Sequence, residues 1–245
     1  MKRLLLPLFL SLNFLLLGTP TPLFWTNCST DIVATGIYRF NQNDFFTVFN
    51  KRHHGQILCP DIGLSYGLFT WNKLMCEVGI DYLGGADNPI FLNGKIGFQE
   101  DVLFKDAPAV NLGLCNVGIK TSRGLNINQN IIELIFGKSL PKTIGGRVFF
   151  SGYIGNSSLG KNRGGFMAGM DYAFKEEVYC DGTHFNRWIF AADFASGKNY
   201  IGGGGFGFTY YFTPGICLQF GPVFLNSYKY NGSWKWTFQF NANLN

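Results

Sequence analysis

From Ser233 to Asn245 every even-numbered residue is apolar (Trp234, Trp236, Phe238, Phe240, Ala242, Leu244) and every odd one is polar (Ser233, Lys235, Thr237, Gln239, Asn241, Asn243, Asn245). A period of two puts alternate side chains on opposite faces of an extended chain, whereas a helix needs a period of 3.6. The stretch therefore reads as a strand with one apolar and one wet face. The same parity recurs over 73–82, 90–99, 143–154, 166–175 and 187–194. Weaker versions run over 32–40, 62–70, 110–119, 131–136, 203–212 and 216–224, which makes twelve segments in all.

Charge follows the same parity. No even position in these segments is charged, while the odd ones carry seven basic residues (Arg39, Lys73, Lys95, Arg147, Lys175, Arg187, Lys235) and six acidic ones (Asp61, Glu77, Asp81, Glu133, Asp171, Asp193). Several segments are about ten residues long, and ten residues tilted by about 40° rise about 25 Å, the height of the apolar band of an outer-membrane barrel. A soluble sandwich would show the same alternation. The even face, however, is almost all aromatic or branched aliphatic, and the odd face is glycine-rich with isolated charges, as a narrow wet interior would be.

Composition narrows the alternatives. With 47% hydrophobic, 17% aromatic and 14% charged residues the chain is far from a disordered tail, and 32 glycines with 26 phenylalanines do not make a coiled coil. The net charge of +5 is scattered, with no basic run beyond Lys51-Arg52, so no nucleic-acid footprint is present. Lys2-Arg3, an apolar core over 4–17 and the helix-stopping Gly18-Thr19-Pro20-Thr21-Pro22 read as a secretory signal peptide, cut between about Pro20 and Ser29. The expected organisation is a signal peptide over 1–28 and an all-β, antiparallel, transmembrane up-and-down β-barrel of about 12 strands over 29–245, located in a bacterial outer membrane.

With the first strand rising from the periplasm, 71–73, 137–142 and 213–215 are short inner turns, and 41–61, 120–130 and 155–164 are longer outer loops. The connections 100–108 and 176–186 are long for inner turns. Pro222, inside a strand pattern, predicts a bulge.

The stretches Gly79-Ile80-Asp81-Tyr82-Leu83-Gly84-Gly85, Asn93-Gly94-Lys95-Ile96-Gly97, Asn116-Val117-Gly118-Ile119-Lys120-Thr121, Gly137-Lys138-Ser139-Leu140-Pro141 and Tyr228-Lys229-Tyr230-Asn231-Gly232-Ser233-Trp234-Lys235-Trp236 resemble an uncharacterised family of Gram-negative outer-membrane β-barrel proteins, over roughly residue 60 to the end. The resemblance implies a barrel and carries no established activity. The last strand is similar to the C-terminal signal read by the barrel-assembly machinery, although that signal usually finishes on an aromatic and this chain finishes on Asn245. The expected partners are outer-membrane lipid and that machinery.

Seven basic against six acidic inward positions leave the lumen nearly neutral, which does not favour a strongly ion-selective pore. One reading is a small, weakly selective channel for neutral or zwitterionic solutes. The other is a plugged barrel, with the charges paired across it, that acts as adhesin, receptor or scaffold through its loops. Twelve strands lie between the filled eight-stranded barrel and the open sixteen-stranded porin. Bare inward positions at Gly203, Gly205 and Gly207 suggest a glycine-floored path beside Arg147, Asp171, Arg187 and Asp193; Glu77, Asp81, Lys95 and Lys235 complete the lumen-lining candidates.

Catalysis has little raw material. The three histidines, His53, His54 and His184, lie outside the strand patterns, so a lipid-modifying enzyme is the remote alternative and no catalytic residue is expected. No Cys or His spacing matches a metal motif, and no cofactor is expected. Of the six cysteines (Cys28, Cys59, Cys76, Cys115, Cys180, Cys217), Cys76 falls on the membrane-facing parity and Cys115 and Cys217 on the inward one, against a full disulfide framework.

Overall fold

The computed structural model describes residues 23–47, 58–84, 89–118, 128–232 and 234–244. Residues 1–22 of the expected leader, and His53 and His54, lie outside the described residues. Twelve strands form: β1 (Tyr38–Phe46), β2 (Leu58–Trp71), β3 (Leu74–Leu83), β4 (Ile90–Phe98), β5 (Ala109–Val117), β6 (Ile131–Ser139), β7 (Arg147–Ile154), β8 (Gly164–Val178), β9 (His184–Ala195), β10 (Gly203–Thr213), β11 (Ile216–Leu225) and β12 (Lys235–Leu244). Each pairs antiparallel with the next, and β1 pairs with β12, so the sheet closes into a barrel with no free edge. We call the rim reached by the connection after β1 the loop end, and the rim of the Asn72-Lys73 hairpin the turn end.

The even parity faces out. Ile80, Leu92, Leu134, Phe150 and Phe206 are 44 to 53% exposed although they sit mid-strand, a continuous apolar surface that a chain in water would bury. It is the wall of a transmembrane barrel. Aliphatic side chains dominate this face on β3–β6. Rings dominate on β8–β12, where Trp188 meets Tyr210 at 4.8 Å and Phe190 meets Phe208 at 5.5 Å, neighbours across paired strands. Gln42 and Asp44 depart from the rule on β1, and they hydrogen-bond to each other at 2.9 Å.

Three expectations need correction. The first strand is not 32–40: β1 starts at Tyr38 and continues to Phe46, while Ile32 and Val33 are buried inside the barrel and Thr35 and Gly36 are exposed at its rim. The alternation that suggested a strand there reflects a second buried environment. The long inner connection 176–186 does not exist, because β8 and β9 stay paired out to Val178 and His184, leaving a turn over 179–183 closed by Tyr179 N–H on Thr183 O at 2.8 Å. Pro222 makes no bulge. It pairs in register with Trp236, and the β10–β11 ladder lapses between Gly205–Val223 and Phe208–Phe220, then resumes unshifted, so the missing N–H is absorbed as a local gap. The register shifts fall elsewhere, at Asn43/Phe45, Gly67/Phe69, Leu92/Gly94 and Tyr211/Thr213.

The core is in the lumen. Leu23, Phe24 and Cys28 pack with Ile131, Ile135, Phe149, Met167 and Val223, all inward residues of the wall. A smaller cluster of Ile189, Tyr211 and Cys217 lies nearer the turn end.

Candidate functional site

The segment 23–36 enters beside β2, where Thr35 bridges Gly67, and runs through the lumen towards the loop end. Irregular backbone can be buried only if its polar groups find partners, and here the inward side chains of the wall supply them. Glu77 Oε2 accepts from Val33 N–H at 2.5 Å, and Lys95 Nζ donates to the carbonyls of Ser29 at 2.8 Å and Asp31 at 3.3 Å. Asn111 donates to Thr30 O at 2.9 Å. Farther along, Asp193 Oδ2 accepts from both Trp25 and Thr26 N–H, the Trp25 ring nitrogen donates to Ile201 O at 2.7 Å, and Gln239 donates to Phe24 O at 2.6 Å. The lumen charges thus do for this segment what a neighbouring strand does elsewhere.

At the turn end Arg147 joins the segment to the wall. Its guanidinium meets Asp31 at 2.6 Å on one side and Asp171 at 2.6 Å on the other, above the Phe149 ring at 5.0 Å. Arg147 and Asp171 are paired residues of β7 and β8, so the sheet register sets this geometry. Burial opposes ionisation of Asp31, yet Arg147 outweighs it and holds the carboxyl below the ordinary carboxylate value. Burial pushes the Cys28 thiol up to about 12, which leaves it poor in thiolate and unreactive.

The inward glycines are close-approach sites. A Cβ on Gly205 would lie 2.8 Å from Phe24 Cβ, one on Gly207 3.0 Å from the Phe24 ring, and one on Gly203 3.1 Å from the Trp25 ring nitrogen. On β8, a Cβ on Gly169 would lie 3.1 Å from Leu23 and 3.3 Å from the Cys28 sulfur. The glycine-floored path expected beside these residues is therefore occupied: the missing side chains make room for Leu23, Phe24 and Trp25.

The other candidates separate by height. Glu77, Lys95, Arg147, Asp171 and Asp193 hold the segment or its clamp. Arg187 stands apart near the turn end, bound to Glu177 and to the carbonyls of Tyr211 and Phe212, over Phe185 at 4.8 Å. Lys235, fully buried, reaches Thr47 Oγ1 at 3.4 Å near the loop end. Asp81 lines a cavity of about 570 Å³ that runs beside Leu23–Asn27, walled by β1–β5, β11 and β12 and reaching from Tyr230 at the loop end to Arg39 towards the turn end. Sequence reasoning missed the segment itself. Its signal was the loss of alternation over 23–31 together with Asp31, a carboxylate just after the stretch read as leader.

Among the described cysteines, Cys28, Cys76, Cys115, Cys180 and Cys217 carry free thiols, with Cys115 and Cys217 buried inward. His184 stands at the turn end, 2.9 Å from Glu176.

No protein-family model matches the chain, and no curated protein matches it. Among solved structures it is similar to an outer-membrane channel from Pseudomonas putida F1, with 11% identity over 87% of this chain and 97% of that one and a TM-score of 0.47. It is also similar to the NanC porin, with 9% identity over 85% and 98% of the two chains and a TM-score of 0.46. Against the N-terminal β-barrel domain of Pseudomonas aeruginosa OprF the identity is 14% over 86% and 98%, with a TM-score of 0.22. Identities this low carry no activity across.

Proposed function

We propose that this protein is a porin-like barrel of the bacterial outer membrane whose lumen is held closed by its own N-terminal segment. Small neutral or zwitterionic solutes would pass only when that segment moves. One observation carries the reading: residues 23–33 cross the lumen and are anchored to the wall by Glu77, Lys95, Arg147 and Asp193. Of the two sequence readings this favours the plugged barrel over the constitutively open channel. Twelve strands enclose more room than their own side chains fill, and the segment occupies part of that room, packed against β6–β8 and β10, with a cavity of about 570 Å³ left on the β1–β4 side.

The reading carries three corollaries. The mature chain keeps residues from Leu23 onward, so leader cleavage falls before that position. The loop end faces outwards, as expected when both ends of an even-stranded barrel lie in the periplasm. The alternating β12 is the element presented to the barrel-assembly machinery, and lipid covers the even face.

Planar-bilayer conductance of the detergent-folded chain tests it. The wild type should insert with few or no steps. Gly205→Leu, which drives a side chain into Phe24, or Asp193→Ala, which removes the acceptor of two segment N–H groups, should raise the open probability at least tenfold. Sustained wild-type steps equal to those of both variants would overturn the closed reading.

A further inference from the structure

The cavity beside the segment is polar in an uneven way. Its carboxylates are Asp31, Asp61, Glu77 and Asp81, and its cations are Arg39 and Lys95. Two of these carboxylates are already committed, Asp31 to Arg147 and Glu77 to Val33 N–H with Lys95 across the β3–β4 pair. Asp61 and Asp81 are not. They lie on neighbouring strands, Asp81 being paired with Gly63, the next inward residue after Asp61. Among the described residues Asp61 accepts from the Asn43 amide, at 3.1 Å, and Asp81 from that of Asn93. No ion pair engages either carboxylate among the described residues.

A second observation points the same way. Glu133 on β6 is fully buried, and its Oε2 has no hydrogen-bond partner. It lines a recess of about 30 Å³ that shares Trp25, Thr26, Asn27 and Cys115 with the cavity. That is room for one small polar group. Buried carboxylate oxygens without donors are costly; Glu133 belongs to the adjoining recess, and the chamber itself carries four carboxylates against two cations in a chain of net charge +5. Trp25, Phe45, Tyr200 and Tyr230 add aromatic surface to the same lining, which attracts organic cations through their ring faces.

We propose that this chamber is a binding site for a small organic cation carrying a primary ammonium or guanidinium group, with Asp61 and Asp81 as its charge partners. A volume of about 570 Å³ falls in the usual range of small-molecule sites. Convergent polar groups beside an aromatic wall are the common design of such sites. The inference takes the closed barrel as its frame, since Leu23–Asn27 of the segment form one wall of the chamber. Binding is measured apart from conductance, so the two readings fail separately: a conducting wild type that binds the probes overturns only the closed barrel, and a silent wild type that does not bind them overturns only this site.

The experiment is calorimetric titration of the detergent-folded full chain with putrescine and agmatine, against 1,4-butanediol and succinate as neutral and anionic counterparts. The diamine or the guanidine should bind, and butanediol and succinate should bind at least tenfold more weakly. Asp61→Asn with Asp81→Asn should weaken cation binding at least tenfold while leaving the barrel's heat-modifiable mobility in gels unchanged. If the double variant fails to fold, each single variant is used. Trp25 fluorescence gives a second readout, a cation-dependent change in the wild type that is absent in Trp25→Phe. Binding of neither cation, equal binding of butanediol, or full affinity in folded Asp-to-Asn variants would overturn the proposal.

Discussion

The two halves of the lumen are built from the same kind of residue and end in opposite states. In the turn-end half Arg147 is held between Asp31 and Asp171, and Arg187 is held by Glu177. In the loop-end half Asp61 and Asp81 face a cavity with only amides for partners. A summed lumen charge near zero conceals this, because the carboxylates of one half are matched by guanidinium groups and two of those in the other half are not. Parity therefore decides that a charge points inwards, but height along the barrel decides whether it is structural or available.

Breaking the occupied half should cost the most. Arg147→Ala leaves Asp31 and Asp171 facing each other without their shared cation. The expected destabilisation is about 3 kcal/mol, at the low end for a broken buried pair because roughly a quarter of the arginine side chain stays accessible. Urea unfolding of the detergent-folded barrel checks it, and a loss below about 0.5 kcal/mol would mean that the clamp is not structural.

A covalent link sharpens the contrast next. Gly169→Cys places a new thiol beside Cys28, since a Cβ there would lie 3.3 Å from its sulfur, within the reach of a disulfide. With copper phenanthroline as oxidant the two thiols should join slowly, because the Cys28 thiol is held near 12. Counting free thiols by mass spectrometry reads the bond, and the oxidised form should cancel the conductance of an added Gly205→Leu. Failure to form the bond in folded protein would place Cys28 elsewhere.

Acid should have the smallest effect. Arg147 holds Asp31 below its ordinary value of 3.8, so the stability it contributes is complete above that value and is lost only as pH falls through the lowered one. Trp25 fluorescence should therefore stay constant from neutral pH down to about pH 4 and change only below it. Release of the segment near pH 6 would show that a different group controls the clamp.

Much of the wall was legible in the chain. The alternation over 233–245 reappears as β12, with Lys235, Thr237 and Gln239 buried inward and Phe238 and Phe240 exposed outward. A lipid-facing surface imposes a local rule, apolar at every second residue, and a local rule can be read from local sequence. Residues 23–36 obey no such rule. Their environment comes from strands as far as 215 positions away, as in the Gln239 bond to Phe24 O, and nothing within the segment encodes those partners. The inward glycines were seen and misassigned for the same reason, because an absent side chain looks alike whether it leaves a channel or admits Phe24.

The sequence by itself determined a closed antiparallel barrel of twelve strands and which face of each is apolar and turned outwards, because the period of two acts residue by residue; of its inward charges, Lys73 lies in the hairpin turn and Lys175 is exposed. Only the tertiary structure decided what the lumen holds. The pairing of Arg147 with Asp31, the fit of Phe24 over Gly205 and the cavity onto which Asp61 and Asp81 face arise where a segment outside the sheet meets walls folded from distant parts of the chain, and packing of that kind has no period to read.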